Sequence, residues 1–470
     1  MKKLFITIAI SLLVISQGCK KFTDGDKISP NSPGSVTAAL LLSNCELAVF
    51  AAYGGNLSRT ASIFTQQSSG NTDQAFIYEK YGMVEGDYDN EWQNLYSSGL
   101  INTKKLMETA GAANPRYNGI AKVLRALMIG AATDLWGDVP YSQALKGEEY
   151  TEASRKPVYD KQEDVIKAIQ TLLTEAIADL GQDDSKNILL PGADDYIFGG
   201  DKDKWIRTAW MLKARYEMRI SKKSSTAAQK TLDALTAAYT AGLAGSDDDC
   251  NMIFGTNANE YNQWYAFCKV EREGYIRMGA KLVNMMNAIN DPRLPSYCAL
   301  SDTTAYLGTP AGEAEMIAYA SKVSTIGNYY ASPDASLPLI TYVEAKFLEA
   351  EAKLGTDKAG AAKAYNDAVI EHITKVTGSA PDAAYITANA SEDASTITLE
   401  KIMNQKYIAL FTQIEVYNDW RRTGFPTLTK ATGATTEIPR RLPNILEERQ
   451  YNPNATIVSD MSVPVWWDSN

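Results

Sequence analysis

The stretch Pro115–Leu145, PRYNGIAKVLRALMIGAATDLWGDVPYSQAL, decides how the chain folds. Asn114-Pro115 opens it as an N-cap followed by proline at the first helical position, where a missing N–H costs nothing. Ile120, Val123, Leu124, Leu127 and Ala131 recur at i, i+3, i+4, i+7 and i+11, the spacing of a helix with one buried face. The stripe runs to Leu135-Trp136. Gly137 then supplies a C-terminal stop, and Pro140 follows where a helix cannot continue. Asp134 and Asp138 flank the Trp-Gly pair and raise the possibility of an acid/base couple beside an aromatic. The local signals favour a helix end and the turn that leaves it. Asp134 stands in the last turn, where the dipole disfavours a carboxylate, so it requires a specific hydrogen-bond partner such as a turn amide. Asp138 can bond its own backbone in the turn, and Trp136 reads as core.

The same 3.6-residue period extends in both directions. Thr37, with Ser35 before it, precedes AALLLSNCELAVFAAY as a capped helix. Further helices are predicted in EDVIKAIQTLLTEAIADLG, DKWIRTAWMLKARYEMRI, TLDALTAAYTAGLAG, ITYVEAKFLEAEAKLG, AAKAYNDAVIEHITKV and LEKIMNQKYIALFTQIEVYNDWRR. Strand alternation is scarce, so the fold class is mainly α. YVEAKFLEAEAKLGTDKAGAAKAYNDAV reads as helix, Gly-containing turn, helix, with alanines that let the pair approach closely. This is a degenerate form of tetratricopeptide-type repeats, without their strict 34-residue consensus.

The chain has 470 residues and a formal charge of −10, with no basic stripe to neutralise phosphates, which argues against nucleic acid. The one histidine, His372, is too little for a His-based metal cage or a Ser-His-Asp centre and reads as a helix-surface residue. SDDDCN, Ser246–Asn251, lacks an EF-hand pattern, so an exposed acidic turn is expected rather than a Ca²⁺ loop. In NDWRRTGFP, Asp419, Arg421 and Arg422 close a helix stopped by Gly424 and Pro426, cations favoured by the dipole, and read as scaffold. No cofactor is implied. The 26 tyrosines and 8 tryptophans are the unusual feature, offering flat apolar faces with a polar edge that suit either a helical core or a binding surface.

The amino terminus points outside the cytoplasm. Lys2 and Lys3 precede an apolar run from Leu4 to Ile15, too short to span a bilayer and right for a signal sequence. Gly18-Cys19 at its end resembles a bacterial lipoprotein signal, with Ser16 where a leucine is usual. The expected organisation is a signal peptide over 1–18, a lipid-anchored tether over 19–34 and one α-helical domain over 35–470, with Cys19 acylated. No later run reaches about 18 consecutive apolar residues. Cys45, Cys250, Cys268 and Cys298 lack CxxC spacing, and whether they pair stays open.

Three regions interrupt the helices: roughly 65–91, 245–275 and 301–339. Long loops in compact domains are usually functional or disordered. These carry Phe76, Tyr78, Tyr81, Tyr88, Tyr261, Trp264, Tyr265, Phe267, Tyr329 and Tyr330, a composition that disfavours disorder.

Six segments in order resemble the SusD/RagB family of outer-membrane lipoproteins: EWQNLYSSGLINTKKLM, NGIAKVLRALMIGAATDLWGDVPYSQAL, ITYVEAKFLEAEAKLG, QKYIALFTQIEVYNDWRRTGFPTL, EIPRRLPNILEERQYN and the terminal VPVWWD. They span about residue 90 to the end, and SPNSPGSVT extends the likeness forward. The resemblance implies an α-rich SusD-like fold around tetratricopeptide-like helix pairs. It also implies a lipid-anchored place on the outer face of the outer membrane and a partnership with a SusC-like TonB-dependent transporter. Family lipoproteins sent to the surface often carry acidic residues directly after the cysteine; here Lys20-Lys21-Phe22-Thr23 come first.

Such a protein captures glycans, with peptide capture as the alternative. Glycan capture needs aromatic faces for the sugar's C–H surface and polar groups for its hydroxyls, and no nucleophile. The leading candidates are Trp264, Tyr261 and Tyr265, because NEYNQWYAF interleaves aromatics with Asn and Gln. Tyr78 and Tyr81 follow, with Asn71 and Asp73 as hydrogen-bond partners, and then Tyr329. A glycoside hydrolase would need two carboxylates flanking a sugar in one cleft, and no motif marks such a pair. The chain therefore reads as a binding protein rather than an enzyme.

Overall fold

The computed structural model describes residues 36–149, 151–314 and 322–469. The signal, tether and Cys19 assignments lie outside these residues. Helix α1 (Ala38–Gly54) starts where Thr37 caps it, its hydroxyl accepting from the Leu40 amide at 3.3 Å, and α2 (Asn56–Phe64) follows almost directly. Together Ala38–Phe64 are apolar and long enough to cross a membrane by length and composition alone. Yet 67% of its most apolar 18 residues are buried within the protein, as expected for core helices.

Helix α3 (Ile101–Ala110) leads to the central α4 (Pro115–Trp136). Pro115 starts α4 as expected, but the Asn114 side chain does not cap it; its oxygen accepts the Leu189 amide at 2.7 Å instead. Gly130 is required in mid-helix, because a Cβ there would fall 1.7 Å from the Tyr216 hydroxyl. Gly137 ends the helix at φ +88°, a left-handed backbone that favours glycine, and its N–H returns to Thr133.

Antiparallel pairs build outward from α4. In α5 (Gln162–Leu180), Gln162 reaches the Thr133 carbonyl at one end and Asp179 meets Lys122 at 2.8 Å at the other. Helices α6 (Lys202–Arg219) and α7 (Ala227–Thr240) are joined by Arg207 to the Ala241 carbonyl and Thr231 to the Ala214 carbonyl. Helices α8 (Tyr342–Lys353) and α9 (Lys358–Thr377) turn back on each other and bury Ala345, Ala350, Ala361, Ala364 and Ala368 between them and their neighbours. Helices α10 (Leu399–Ala409) and α11 (Glu415–Thr423) close the set. The main apolar core draws on residues from Ala38 to Ile445.

Three short antiparallel pairings tie the interrupting regions down. Strand β1 (Ser68–Gly70) pairs with β5 (Ile276–Met278), β2 (Val139–Pro140) with β3 (Tyr159–Asp160), and β4 (Cys250–Met252) with β6 (Leu337–Ile340). The first pairing links the early region to the mid-chain one, and the third links the mid-chain region to the late one. The early region is also less irregular than its sequence implies: Asp73–Glu79 and Asp89–Gln93 are short helices. The buried Glu79 carboxylate accepts from Ser69, Gly70 and Gly312.

The corner around Trp136 is buried scaffold. Trp136 donates its indole N–H to the Pro443 carbonyl at 2.9 Å. Asp134 has no turn amide; it pairs with Arg219 at 3.2 Å and accepts from Asn418 at 3.2 Å, partners supplied by α6 and α11 that no local pattern shows. Asp138 accepts from the Gln162 amide and Lys161 rather than from its own turn. Around them Arg215 binds Glu344 through two nitrogens at 2.7 and 2.6 Å, and Arg219 binds Glu415 at 2.5 Å. Asp419 lies between Lys406 at 2.6 Å and Arg422 at 2.8 Å. Burial alone would raise the Asp419 carboxyl, but Lys406 and Arg422 outweigh it and hold it down at about 2. Arg421 sits between the rings of Tyr417 and Trp467, 4.1 and 4.6 Å from their centroids.

Two surface expectations are corrected. His372 is buried, its Nδ1 2.8 Å from an Arg293 nitrogen; burial and then the Arg293 charge hold the ring well below the usual imidazole range. In Ser246–Asn251 only Asp247 is exposed. Asp248 pairs with Arg207 at 3.0 Å, and Asp249 takes Lys375 and the Tyr342 amide, both at 2.6 Å. Both errors share a cause: a polar residue on a helix or turn reads as solvated until a distant arginine or lysine is packed against it. Cys45, Cys250, Cys268 and Cys298 are free and buried, and burial pushes each thiol up, Cys268 to about 11.

Candidate functional site

An open groove of about 490 Å³ lies where α1, the loop carrying Tyr196 and the mid-chain segment 253–263 meet. Its lining begins on α1. That helix is apolar around its whole circumference, so burying one face leaves Leu40 and Leu47 in solvent, 55% and 51% exposed. Leu47 and Phe50 form one wall, and the Phe254 ring lies 5.8 Å from that of Phe50. Ile253 and Tyr196, each nearly half exposed, extend the apolar surface.

The polar edge comes from the 255–263 turn. Gly255 donates to the Glu260 carbonyl at 2.9 Å, Glu260 to the Asn257 carbonyl at 2.8 Å, and the Asn257 amide to the Glu260 carboxylate at 2.9 Å. Asn262, fully buried, then caps a short helix by accepting from the Trp264 and Tyr265 amides at 2.8 and 2.9 Å. It is itself fixed by the Pro333 and Ala335 carbonyls at 2.7 and 2.6 Å. Gln263 ties the turn to α1 through the Phe50 carbonyl at 3.1 Å. The turn thus presents Asn259, Glu260 and Tyr261 to the groove from a pinned base.

The three leading candidates part company here. Tyr261 precedes the Asn262 cap, while Trp264 and Tyr265 lie within the helical turn Gln263–Tyr265, where successive residues point about 100° apart. Tyr261 lines the groove and packs edge-on against the half-buried Tyr265, ring centroids 5.1 Å apart. Trp264 points the other way and is wholly buried, donating to the Ser58 hydroxyl at 3.0 Å and leaning on Phe411. No face of it is open to a ligand, so its assignment as a sugar platform is corrected.

The early-region candidates fare similarly. Tyr78 is buried, receives Gln74 at 2.8 Å and stacks on Tyr88. Tyr81 is buried with its hydroxyl accepting the Ala431 amide at 3.0 Å, and burial pushes that hydroxyl up to about 12. Asn71 is also buried, with neither side-chain amide atom meeting a partner among the described residues. Asp73 is exposed and accepts from Thr72. Tyr329 is half-buried against Tyr330, 4.9 Å between centroids, and outside the groove lining. Of the eight ligand candidates, Tyr261 lines the groove. Asn259, Glu260 and Gln263, from the same NEYNQWYAF stretch, line it too, as do Leu47, Phe50, Tyr196, Ile253 and Phe254, which no local motif marks.

Chemically, the groove sets apolar and aromatic surface opposite amide, carboxylate and phenol groups. That combination suits a ligand with apolar ring faces and many hydroxyls. Glu260 is the one carboxylate among the lining residues.

A family model described as starch-binding, associating with outer membrane, matches residues 30–443. Among solved structures, a chitin-binding protein is 26% identical over 92% of this chain and 100% of its own, with a TM-score of 0.75. A chitin-binding SusD homologue from Flavobacterium johnsoniae is 22% identical over 91% of this chain and 99% of its own, TM-score 0.78. A SusD/RagB family protein from Bacteroides thetaiotaomicron is 24% identical over 92% and 99%, TM-score 0.75. No curated protein matches. With a mainly α fold of packed helix pairs and a family match over most of its length, the chain belongs to the SusD-like family of starch-binding proteins associated with the outer membrane.

Proposed function

We propose that this protein binds oligo- or polysaccharide in the α1–Tyr196–Tyr261 groove and hands it to a SusC-like TonB-dependent transporter. It does so anchored through Cys19 at the cell surface, and as a binding protein rather than an enzyme. The observation that carries the reading is the composition of the groove: Phe254, Tyr196 and Tyr261 offer apolar faces beside Asn259, Glu260 and Gln263, with the buried Phe50 behind them. The family's description and two chitin-binding structural relatives support a glycan as the ligand class. A hydrolase needs a second carboxylate across the sugar; among the described residues lining the groove, Glu260 is the one carboxylate.

Two or three aromatics worth about 1 kcal/mol each beyond burial give modest affinity, in the roughly micromolar to millimolar range. A long polymer touching several sites compensates for that weakness. Calorimetry against a panel of soluble polysaccharides, chitin oligosaccharides and peptides tests the reading, with product analysis on each mixture. Binding of a glycan without cleavage is expected. Binding of peptides alone, or release of shortened sugars, overturns it.

A further inference from the structure

Glu46 lies on the inner face of α1, one residue before the groove residue Leu47, and is completely buried. One of its oxygens, Oε2, accepts the Tyr196 amide at 2.7 Å. Its carboxyl also sits at hydrogen-bonding range of the Asp195 carboxyl, and its Oε1 meets no donor from any other described residue. Asp195 already accepts from four other donors. Its Oδ1 takes the Ile197 and Phe198 amides at 3.1 and 2.9 Å, and its Oδ2 takes the Gly200 amide and the Trp205 indole N–H, both at 2.8 Å. Two facing carboxyl groups bond only through a proton, and the one with an undonated oxygen must carry it.

We propose that Glu46 is a positioning residue for the groove: it stands as a neutral acid, donates its proton to the Asp195 carboxylate, accepts the Tyr196 amide, and so locks the Tyr196 loop to α1. The inference rests on reading the groove as the ligand site. Ser43 adds a second tie from α1, its hydroxyl donating to the Asp194 carbonyl at 2.9 Å. The titratable groups facing Glu46 are Asp195 and Asp194 from the loop, Cys45 on its own helix and Cys250 from β4. Burial, then the Asp195 charge, push the Glu46 carboxyl up to about 10. An acid raised in the folded state contributes stability that is full below the ordinary carboxylate range and lost as pH climbs through the raised value.

The test uses the full chain with Glu46→Gln and Glu46→Ala. Glutamine keeps a neutral donor for Asp195 and an acceptor for Tyr196; alanine keeps neither. In the wild-type minus Glu46→Gln infrared difference spectrum at neutral pH, the carbonyl stretch of a protonated carboxyl is expected. A carboxylate stretch there overturns the proposal even if Glu46→Ala does not fold. Hydrogen exchange at the Tyr196 amide should quicken by about tenfold or more in Glu46→Ala and be rescued in Glu46→Gln; equal exchange in the two variants also overturns it. Neither readout uses a ligand. A wild-type protein that binds no glycan would therefore sink the function reading while leaving the acid pair standing, and the reverse outcome would do the opposite.

Discussion

The corner around Trp136 and the groove around Tyr261 use the same kinds of residue for opposite purposes. In the corner, aromatics are enclosed and each carboxylate meets an arginine, lysine or amide: Asp134 meets Arg219 and Asn418, Asp419 meets Lys406 and Arg422. In the groove, Tyr196 is nearly half exposed and Glu260 is exposed, answered by the Asn257 side chain and its own turn. A paired, buried carboxylate holds helices together; an aromatic with an open face is available to a ligand. Residue type does not distinguish the two roles. Burial and partners do.

The largest effect should come from breaking the buried polar set. Arg215→Met strands Glu344 without its two-pronged partner, and the expected loss is about 3–5 kcal/mol in urea unfolding. A loss below about 1 kcal/mol would place that pair among the weak surface type. Trp264→Ala should follow, costing about 3–5 kcal/mol as an enclosed aromatic is removed from the core and the Ser58 hydroxyl loses its donor. A variant of normal stability and impaired ligand binding would return Trp264 to the site.

Acid sharpens the same contrast. Asp419 is held at about 2, below its unfolded value of about 4, so its contribution to stability is present above that unfolded value. It is lost as pH falls toward 2. Acid unfolding should steepen across that window, and Asp419→Asn should flatten it. An unchanged acid limb would count against the Lys406 and Arg422 pairing. The smallest stability effect belongs to the groove rim, where Tyr196→Ala should change the unfolding free energy by no more than about 0.5 kcal/mol.

The scaffold was legible from sequence because its signals are local and repeat. The Pro115 start and the Gly137 stop each follow from a few neighbours, and the structure keeps both; the Ile120–Ala131 stripe is buried too, but so is nearly every other side of that central helix. Partners across the chain were not legible: Asp134 finds Asn418, and Gln67 finds the Tyr407 carbonyl, hundreds of residues away. The candidate site was the least legible part. NEYNQWYAF looks like one aromatic surface, but Asn262 caps a helical turn that carries Trp264 into the core, while Tyr261 stays on the loop before the cap and lines the groove. Tyr196 and Leu47 join the groove through the packing of a loop on α1, which leaves no periodic mark.

Titration of the glycan that the wild type binds into Tyr261→Ala, with unfolding measured alongside, tests the central claim most directly. Affinity should fall by about tenfold, worth about 1.4 kcal/mol, while the unfolding midpoint holds. Unchanged affinity in a stable Tyr261→Ala protein would contradict the placement of the ligand in this groove.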